Sequence, residues 1–212
     1  MLCVSAVKSA FAFWSCSVAV EIEAKMSVPS LGVVRDRLRE LGAGGGGRTL
    51  ETNTFFDTED RSLLAADEGL RLRRNHDEAS GKDEHVVTYK GPRQHGALKS
   101  RDEVEVTVGA YDDAVQLLER LGFVRILSFE KRRESWKLGG CKVELDELPY
   151  LGTYVEVEGP NESTVMSVRE QLGLSDRPAI KTSYIAMLMG YLQERGSQSR
   201  RNVTFADAMN GK

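Results

Sequence analysis

The chain reads as an α+β fold: antiparallel strands with one charged face, if closed into a barrel, would enclose a charged lumen and leave helices on the apolar outer face. Three observations predict it: strand segments whose alternate face is charged, amphipathic helices spaced between them, and acids and bases that segregate into separate pairs although the net charge is only −3.

In Val20-Glu21-Ile22-Glu23-Ala24-Lys25, the period of two sets Glu21, Glu23 and Lys25 on one side and the apolar residues on the other. Leu70-Arg71-Leu72-Arg73 repeats the pattern with bases. Arg101, Glu103 and Glu105 share a face in the next such strand, and Glu144/Asp146 and Glu156/Glu158 repeat it with acids. Thr88-Tyr89-Lys90 and Lys131-Arg132-Arg133 add bases at alternating positions. One strand of this kind would turn its charged face to water in the ordinary way. The set reads differently, because like charges side by side repel, and here acids pair with acids and bases with bases. Such segregation suits a polyanion held through a divalent metal, with carboxylates for the cation and Arg and Lys for phosphate oxygens. Closure turns the charged faces inward as a wet lumen, and about eight strands leave room for one small ligand.

Four segments have helical apolar spacing and are expected to cover the outer face. Leu31, Val34, Leu38 and Leu41 form the first stripe, and Tyr111 to Leu121 form the second. The third follows an N-cap at Asn161 or Ser163, with Val165, Val168 and Leu172. The fourth follows Pro178 and carries Tyr184, Met187, Leu188 and Tyr191. Gly44-Gly45-Gly46-Gly47 is followed by Arg48-Thr49 rather than Gly-Lys-Ser/Thr, so it is no phosphate loop and reads as a flexible connection from helix to strand. Asp57 and Asp60 read as a turn after a strand.

A length of 212 residues, 41% hydrophobic and 29% charged, describes one globular domain with a core and excludes a disordered chain. Residues 1–17 are apolar but interrupted by Lys8, too short a run to span a bilayer, and read as an N-terminal extension from an upstream start. Residues 18–194 form the domain, and 195–212 read as a flexible tail. The cysteines, Cys3, Cys16 and Cys141, form no CxxC pair and fit a reducing, cytoplasmic setting. His76, His85 and His95 are dispersed, not a ligand cluster. The small net charge and sparse aromatics argue against nucleic-acid or membrane partners.

Taken in order, the motifs resemble the CYTH or triphosphate tunnel metalloenzyme superfamily. The resemblance rests on Glu21-Ile22-Glu23-Ala24-Lys25 as its ExExK signature, Phe55-Phe56-Asp57-Thr58, Glu68-Gly69-Leu70-Arg71-Leu72-Arg73, Thr88-Tyr89-Lys90-Gly91-Pro92, Arg101 with Glu103 and Glu105, Lys131-Arg132-Arg133, Glu144-Leu145-Asp146, Glu156-Val157-Glu158 and Lys181-Thr182-Ser183-Tyr184. It runs from about Val18 to Glu194 and looks most similar to proteins grouped with class IV adenylate cyclases. The resemblance implies an eight-stranded antiparallel closed β-barrel, a tunnel that binds a triphosphate such as ATP or tripolyphosphate with Mg²⁺ or Mn²⁺; monomer and homodimer both stay open. It implies Glu21, Glu23, Glu156 and Glu158 as metal ligands, with Glu105 and Asp146 for a second metal. Lys25, Arg71, Arg73, Lys90, Arg101, Lys131, Arg133 and Lys181 would bind phosphate, and Lys90 would act as catalytic base or charge stabiliser. A cyclase making cyclic AMP and pyrophosphate is the leading expectation; a triphosphatase for tripolyphosphate, thiamine triphosphate or nucleoside triphosphate, and a non-catalytic binding module, are the alternatives.

Overall fold

The computed structural model describes residues 19–94 and 99–210, with side chains from Ile22 onward except those of Lys99 and Ser100. The expected extension 1–17, Cys3, Cys16 and His95 lie outside the described residues.

The strands are β1 (Ala19–Ser27), β2 (Gly44–Asp57), β3 (Gly69–Asp77), β4 (Asp83–Lys90), β5 (Lys99–Val108), β6 (Val124–Leu138), β7 (Cys141–Leu148), β8 (Gly152–Gly159) and a short β9 (Asn202–Val203). The helices are α1 (Leu31–Glu40), α2 (Ser62–Ala65), α3 (Tyr111–Arg120), α4 (Glu162–Gln171), α5 (Tyr184–Glu194) and α6 (Phe205–Asn210). The sheet order is β2-β3-β4-β5-β1-β8-β7-β6-β9, and β2 pairs with β6 as well as with β3. Each of β1 to β8 therefore has a neighbour on both sides, and all the pairings among them are antiparallel. A sheet curled this far leaves few unpaired edges to be managed.

Alternation divides the two faces of this curled sheet. Ala24, Met26, Val143, Leu145, Val155 and Val157 point outward and join Val34 and Leu38 of α1 and Val165, Val168 and Leu172 of α4 in one apolar core. Phe56, Leu70 and Leu72 meet Ala114, Val115 and Leu118 of α3 in another. These two hydrophobic cores thus lie between sheet and helices; a third, with Leu127, Phe129, Tyr154, Tyr184, Leu188 and Val203, gathers around α5, and the rest of the inner face is left to charged groups. Caps place the helices: Ser30 Oγ accepts from Gly32 N at 3.2 Å, and Asn161, not Ser163, caps α4 by accepting from Thr164 N at 2.9 Å. Asp57 is a cap as well, its carboxylate accepting from Leu63 N at 2.9 Å and Leu64 N at 3.2 Å at the turn into α2. Among the described residues no helix is long and apolar enough to cross a membrane.

Three expectations are corrected. The glycine quartet is not a free connection but the start of β2, paired with β6 through an irregularity between Gly45 and Gly47. Gly45 has φ of 117°, and a Cβ there would lie 2.7 Å from the Ser135 carbonyl oxygen, so the close strand approach needs glycine. The fourth helix is not a cover on the outer face: Tyr184 at its start reaches inside, donating to Asp146 Oδ2 at 3.0 Å and lying 4.0 Å under the Lys25 ammonium. The chain after residue 195 is not a free tail, since β9 runs parallel to β6 and Val203 is fully buried against it. Its short apolar content hid this, because one buried valine and a two-residue pairing make no periodic signal.

Leu38 of α1 is wholly buried in the core outside the sheet. Leu38→Ala should destabilise the fold by about 2–5 kcal/mol through lost transfer energy and a cavity. Urea unfolding followed by circular dichroism measures it, and an unchanged midpoint would remove α1 from the core.

Candidate active site

The inner face surrounds a cavity of about 490 Å³. β1 presents Glu23 and Lys25 to it, β3 Arg71 and Arg73, β4 Lys90, β5 Arg101 and Glu105, β6 Lys131 and Arg133, β8 Glu156 and Glu158, and the segment before α5 Lys181. The predicted phosphate-binding bases all line this one space. A second cavity of about 450 Å³ opens from the other end and shares Arg73, Arg133, Lys142 and Glu144 with the first. The charged belt therefore sits between two openings.

Arg133 is the centre of the belt. Its Nε donates to Asp146 Oδ1 at 2.7 Å, and its Nη2 donates to Asp146 Oδ2 and to Glu156 Oε2, both at 2.6 Å. Nη1 meets Glu144, and Glu51 lies 3.5 Å from Nε. Burial disfavours the guanidinium charge, but Asp146, Glu144 and Glu51 outweigh it and hold Arg133 protonated well above its ordinary range. Lys131 reaches Glu51 Oε2 at 3.0 Å and Asp146 Oδ2 at 3.5 Å. Burial first, then the neighbouring Arg133, lowers the Lys131 pKa. Lys25 pairs with Glu156 Oε1 at 3.3 Å and donates to the Thr182 carbonyl at 3.0 Å.

Toward the wider cavity the cations are less fully matched. Arg71 donates through Nη2 to Thr88 Oγ1 at 2.9 Å and Glu105 Oε1 at 3.4 Å. Its buried Nε meets no hydrogen-bond partner among the described residues, and the same holds for Arg101 Nε and Arg61 Nη1. Burial and then the repulsion of Arg73 bring the Arg71 pKa down to about 10. Unsatisfied buried donors are rare and costly, and here they belong to cavity-lining guanidinium groups, so an oxyanion would complete them. Arg101 is otherwise occupied by Asp67, through the carbonyl at 3.0 Å and Oδ1 at 2.9 Å. Lys90 is ion-paired with Glu103.

The predicted acids divide. Glu23 and Glu158 stand opposite each other in register on β1 and β8 and both line the cavity. Burial first, and then Glu144 and Glu23 against the opposing pull of Lys142, push the Glu158 carboxyl up, a crowding of like charges that a divalent cation would relieve. Glu156 lines the same wall but is engaged by Arg133 and Lys25. Glu105 is engaged by Thr88, which donates to it at 2.8 Å, and by Arg71. Asp146 is fully buried with both oxygens taken by Arg133, so it braces the belt instead of facing a ligand. Glu21 is opposite Arg101 in register, and its side chain lies outside the described residues. The oxygen donors suit a hard cation, although no three acidic, His or Cys side chains of the described residues form a ready-made ligand cluster. His76 and His85 lie in strands β3 and β4, not in loops: His76 pairs with Asp83 at 2.7 Å and His85 packs edge-on to Tyr111.

Sequence reasoning missed Glu51, which is buried and serves Arg73, Lys131 and Arg133. Thr49, Glu51 and Asn53 alternate along β2 and could have exposed it, but their mixed polarity gave no charged face. Burial raises the Glu51 pKa, and the fields of Arg73, Lys131, Arg133 and Arg71 more than reverse this and hold it well below the usual range. Arg61 was also missed; it lines the cavity from a left-handed backbone position with φ of 64°.

The family model described as the CYTH domain matches residues 19–184. The chain belongs to the CYTH domain family. Its CYTH domain is similar to that of a Methanocaldococcus jannaschii protein provisionally named an adenylate cyclase, with 28% identity over 177 residues, 79% of this chain and 98% of that protein. It is also 30% identical over 131 residues to the thiamine-triphosphatase of Macaca fascicularis, covering 56% of this chain and 54% of the enzyme. Among solved structures, a Pyrococcus horikoshii protein superposes with a TM-score of 0.70 at 26% identity, covering 81% of this chain and 99% of that one.

Because its carboxyl is held low, Glu51 contributes stability that is in place above its unfolded value near 4.5 and lost as pH falls through the folded value. Glu51→Gln leaves buried Lys131 and Arg133 and half-buried Arg73 short of a partner and should cost about 3–5 kcal/mol at neutral pH. Melting curves from pH 7 downward should show the gap between wild type and variant narrowing below about pH 4.5. A constant gap would place the Glu51 contribution elsewhere than in its charge.

Proposed function

We propose that this CYTH domain is a metal-dependent enzyme acting on a triphosphate held in the charged belt, with the ring of eight strands serving as a closed tunnel around it. One observation carries the reading: Lys25, Arg71, Arg73, Lys131 and Arg133 converge from three strands on one cavity, where guanidinium donors of Arg71, Arg101 and Arg61 still lack partners among the described residues. Phosphoryl transfer depends on positioning and on charge stabilisation, which such a wall provides without a covalent nucleophile. Arg71 and Arg73 would bind and orient phosphate oxygens. Lys90, placed by Glu103, would stabilise charge on the departing phosphate.

Glu23, Glu156 and Glu158, with Glu21 on the same strand as Glu23, would hold Mg²⁺ or Mn²⁺, which when bound neutralises phosphate charge and makes a nucleophilic oxygen more acidic. Glu158, in register with Glu23 across β8 and β1, is the ligand with the most to gain. Cyclisation of ATP to cyclic AMP and pyrophosphate is the leading reaction, supported by the cyclase name of the relative whose whole length is matched. Hydrolysis of a triphosphate is the second, supported by the thiamine-triphosphatase relative.

Incubation with Mg²⁺ or Mn²⁺ and either ATP or tripolyphosphate, resolved by chromatography, separates the two. Cyclic AMP with pyrophosphate is expected for the first and orthophosphate for the second, whereas tight binding without products overturns the enzyme reading. Arg71→Ala should raise KM for either substrate about tenfold or more, as expected for loss of a charge-assisted contact. Glu23→Gln and Glu158→Gln should abolish metal-dependent turnover with the circular dichroism spectrum retained; full activity in both would refute the metal assignment.

A further inference from the structure

The inward rows of β2 and β6 change character along their length. On β6 the row reads Arg133, Lys131, Phe129, Leu127, and on β2 it reads Glu51, Asn53, Phe55. The two rows are in register, with Glu51 opposite Lys131, Asn53 opposite Phe129 and Phe55 opposite Leu127. Successive inward residues are about 7 Å apart, so the wall passes from charged to apolar within roughly the length of one phosphate-to-sugar step. Phe55 and Phe129 stack at 5.8 Å, and Ile185 and Met189 of α5 extend the apolar lining. A bare polyphosphate has nothing to place there.

This apolar end is bordered by the chain after α5. β7 pairs with β6 only from Arg132 to Leu138, and at Ser128 and Phe129 that edge of β6 is taken by β9. The segment is pinned on both sides: Ser197 N donates to the Leu192 carbonyl at 2.8 Å, Ser128 N donates to the Arg201 carbonyl at 2.8 Å, and Phe205 N donates to Glu130 Oε2 at 2.8 Å. The Arg132 guanidinium lies 3.9 Å over the Phe205 ring. Between these anchors Gln198, Arg200 and Arg201 line the cavity, beyond residue 184, where the CYTH match ends. Arg200 Nη1 donates to the Tyr150 hydroxyl at 2.8 Å, and Tyr150 stacks on Tyr191 at 5.2 Å, so its guanidinium is positioned by a rigid aromatic pair.

We propose that the segment from Ser197 to Asn210 is a substrate-reading element in which Gln198, Arg200 and Arg201 recognise the organic group of a triphosphate ester at the apolar end of the cavity. The proposal rests on the triphosphate reading above and narrows it to a flat, uncharged heteroaromatic ring of the nucleobase type. A guanidinium stacks favourably on such a ring, an amide both donates to and accepts from its edge, and apolar walls take its faces. The same two guanidinium groups oppose a cationic ring such as the thiazolium of thiamine triphosphate.

The test uses the full chain and dissociation constants taken from ligand-dependent shifts in melting temperature, a readout independent of turnover. The probes are ATP, thiamine triphosphate and tripolyphosphate. The wild type should bind ATP more tightly than thiamine triphosphate, and the double variant Arg200→Ala/Arg201→Ala should raise the ratio of the ATP constant to the tripolyphosphate constant about tenfold or more. A ratio unchanged within about twofold, or thiamine triphosphate bound as tightly as ATP, overturns the proposal. Should the double variant melt lower without ligand, Gln198→Ala repeats the test at an exposed side chain; it should raise the same ratio, and an unchanged ratio there again overturns the proposal. Failure of the wild type to bind any of the three probes sinks the triphosphate reading and this one with it, a result distinct from an unchanged ratio.

Discussion

The structure depends on the matching of one guanidinium. Arg133 is almost excluded from water, and a charge so placed is tolerable only when paired and hydrogen-bonded in full. Its partners come from β7, β8 and β2: Asp146 and Glu144 from the first, Glu156 from the second, Glu51 from the third. β7 and β8 follow β6 directly in the chain, whereas β2 lies far upstream, so satisfying Arg133 ties β2 to the later run of strands. Asp146 is part of that scaffold, and Tyr184 locks it from α5.

The requirement explains why the charged face of the curled sheet is turned inward and much of its apolar face outward. A charged belt cannot serve as a hydrophobic core, so apolar burial is concentrated away from it, under α1, α3 and α4 and around α5. The stability supplied there offsets the desolvation of the inner belt. The belt itself is uneven. Its inner part is matched ion pair by ion pair, while toward the wider opening Arg71 is left with a buried donor unmet among the described residues and a guanidinium pKa lowered by burial. That gradient in satisfaction gives an anion a direction along the cavity.

Alternation made most of this belt legible. Glu23, Lys25, Arg71, Arg73, Lys131, Arg133, Glu156 and Glu158 all face the same cavity, as the period of two requires once the apolar partners face helices. Glu51 escaped because its neighbours on the inward row, Thr49 and Asn53, are merely polar and the glycines before them suggested loop. Arg61 escaped because it belongs to no periodic element and reaches the cavity from a single left-handed residue.

The sequence by itself determined which side chains share a strand face and which helices have an apolar stripe, because both follow from backbone periodicity within a few residues. It could not decide how each face is used. Asp146 and Glu158 look alike as alternating acids, yet one is consumed by Arg133 and the other is crowded by Glu23 and Glu144, a difference set by which strands are neighbours. The passage of α5 into the cavity and the seating of Val203 on the free edge of β6 were likewise tertiary decisions. Each depends on partners distant in the chain: the interior carboxylate that Tyr184 meets, and the stretch of β6 that the shorter β7 leaves unpaired.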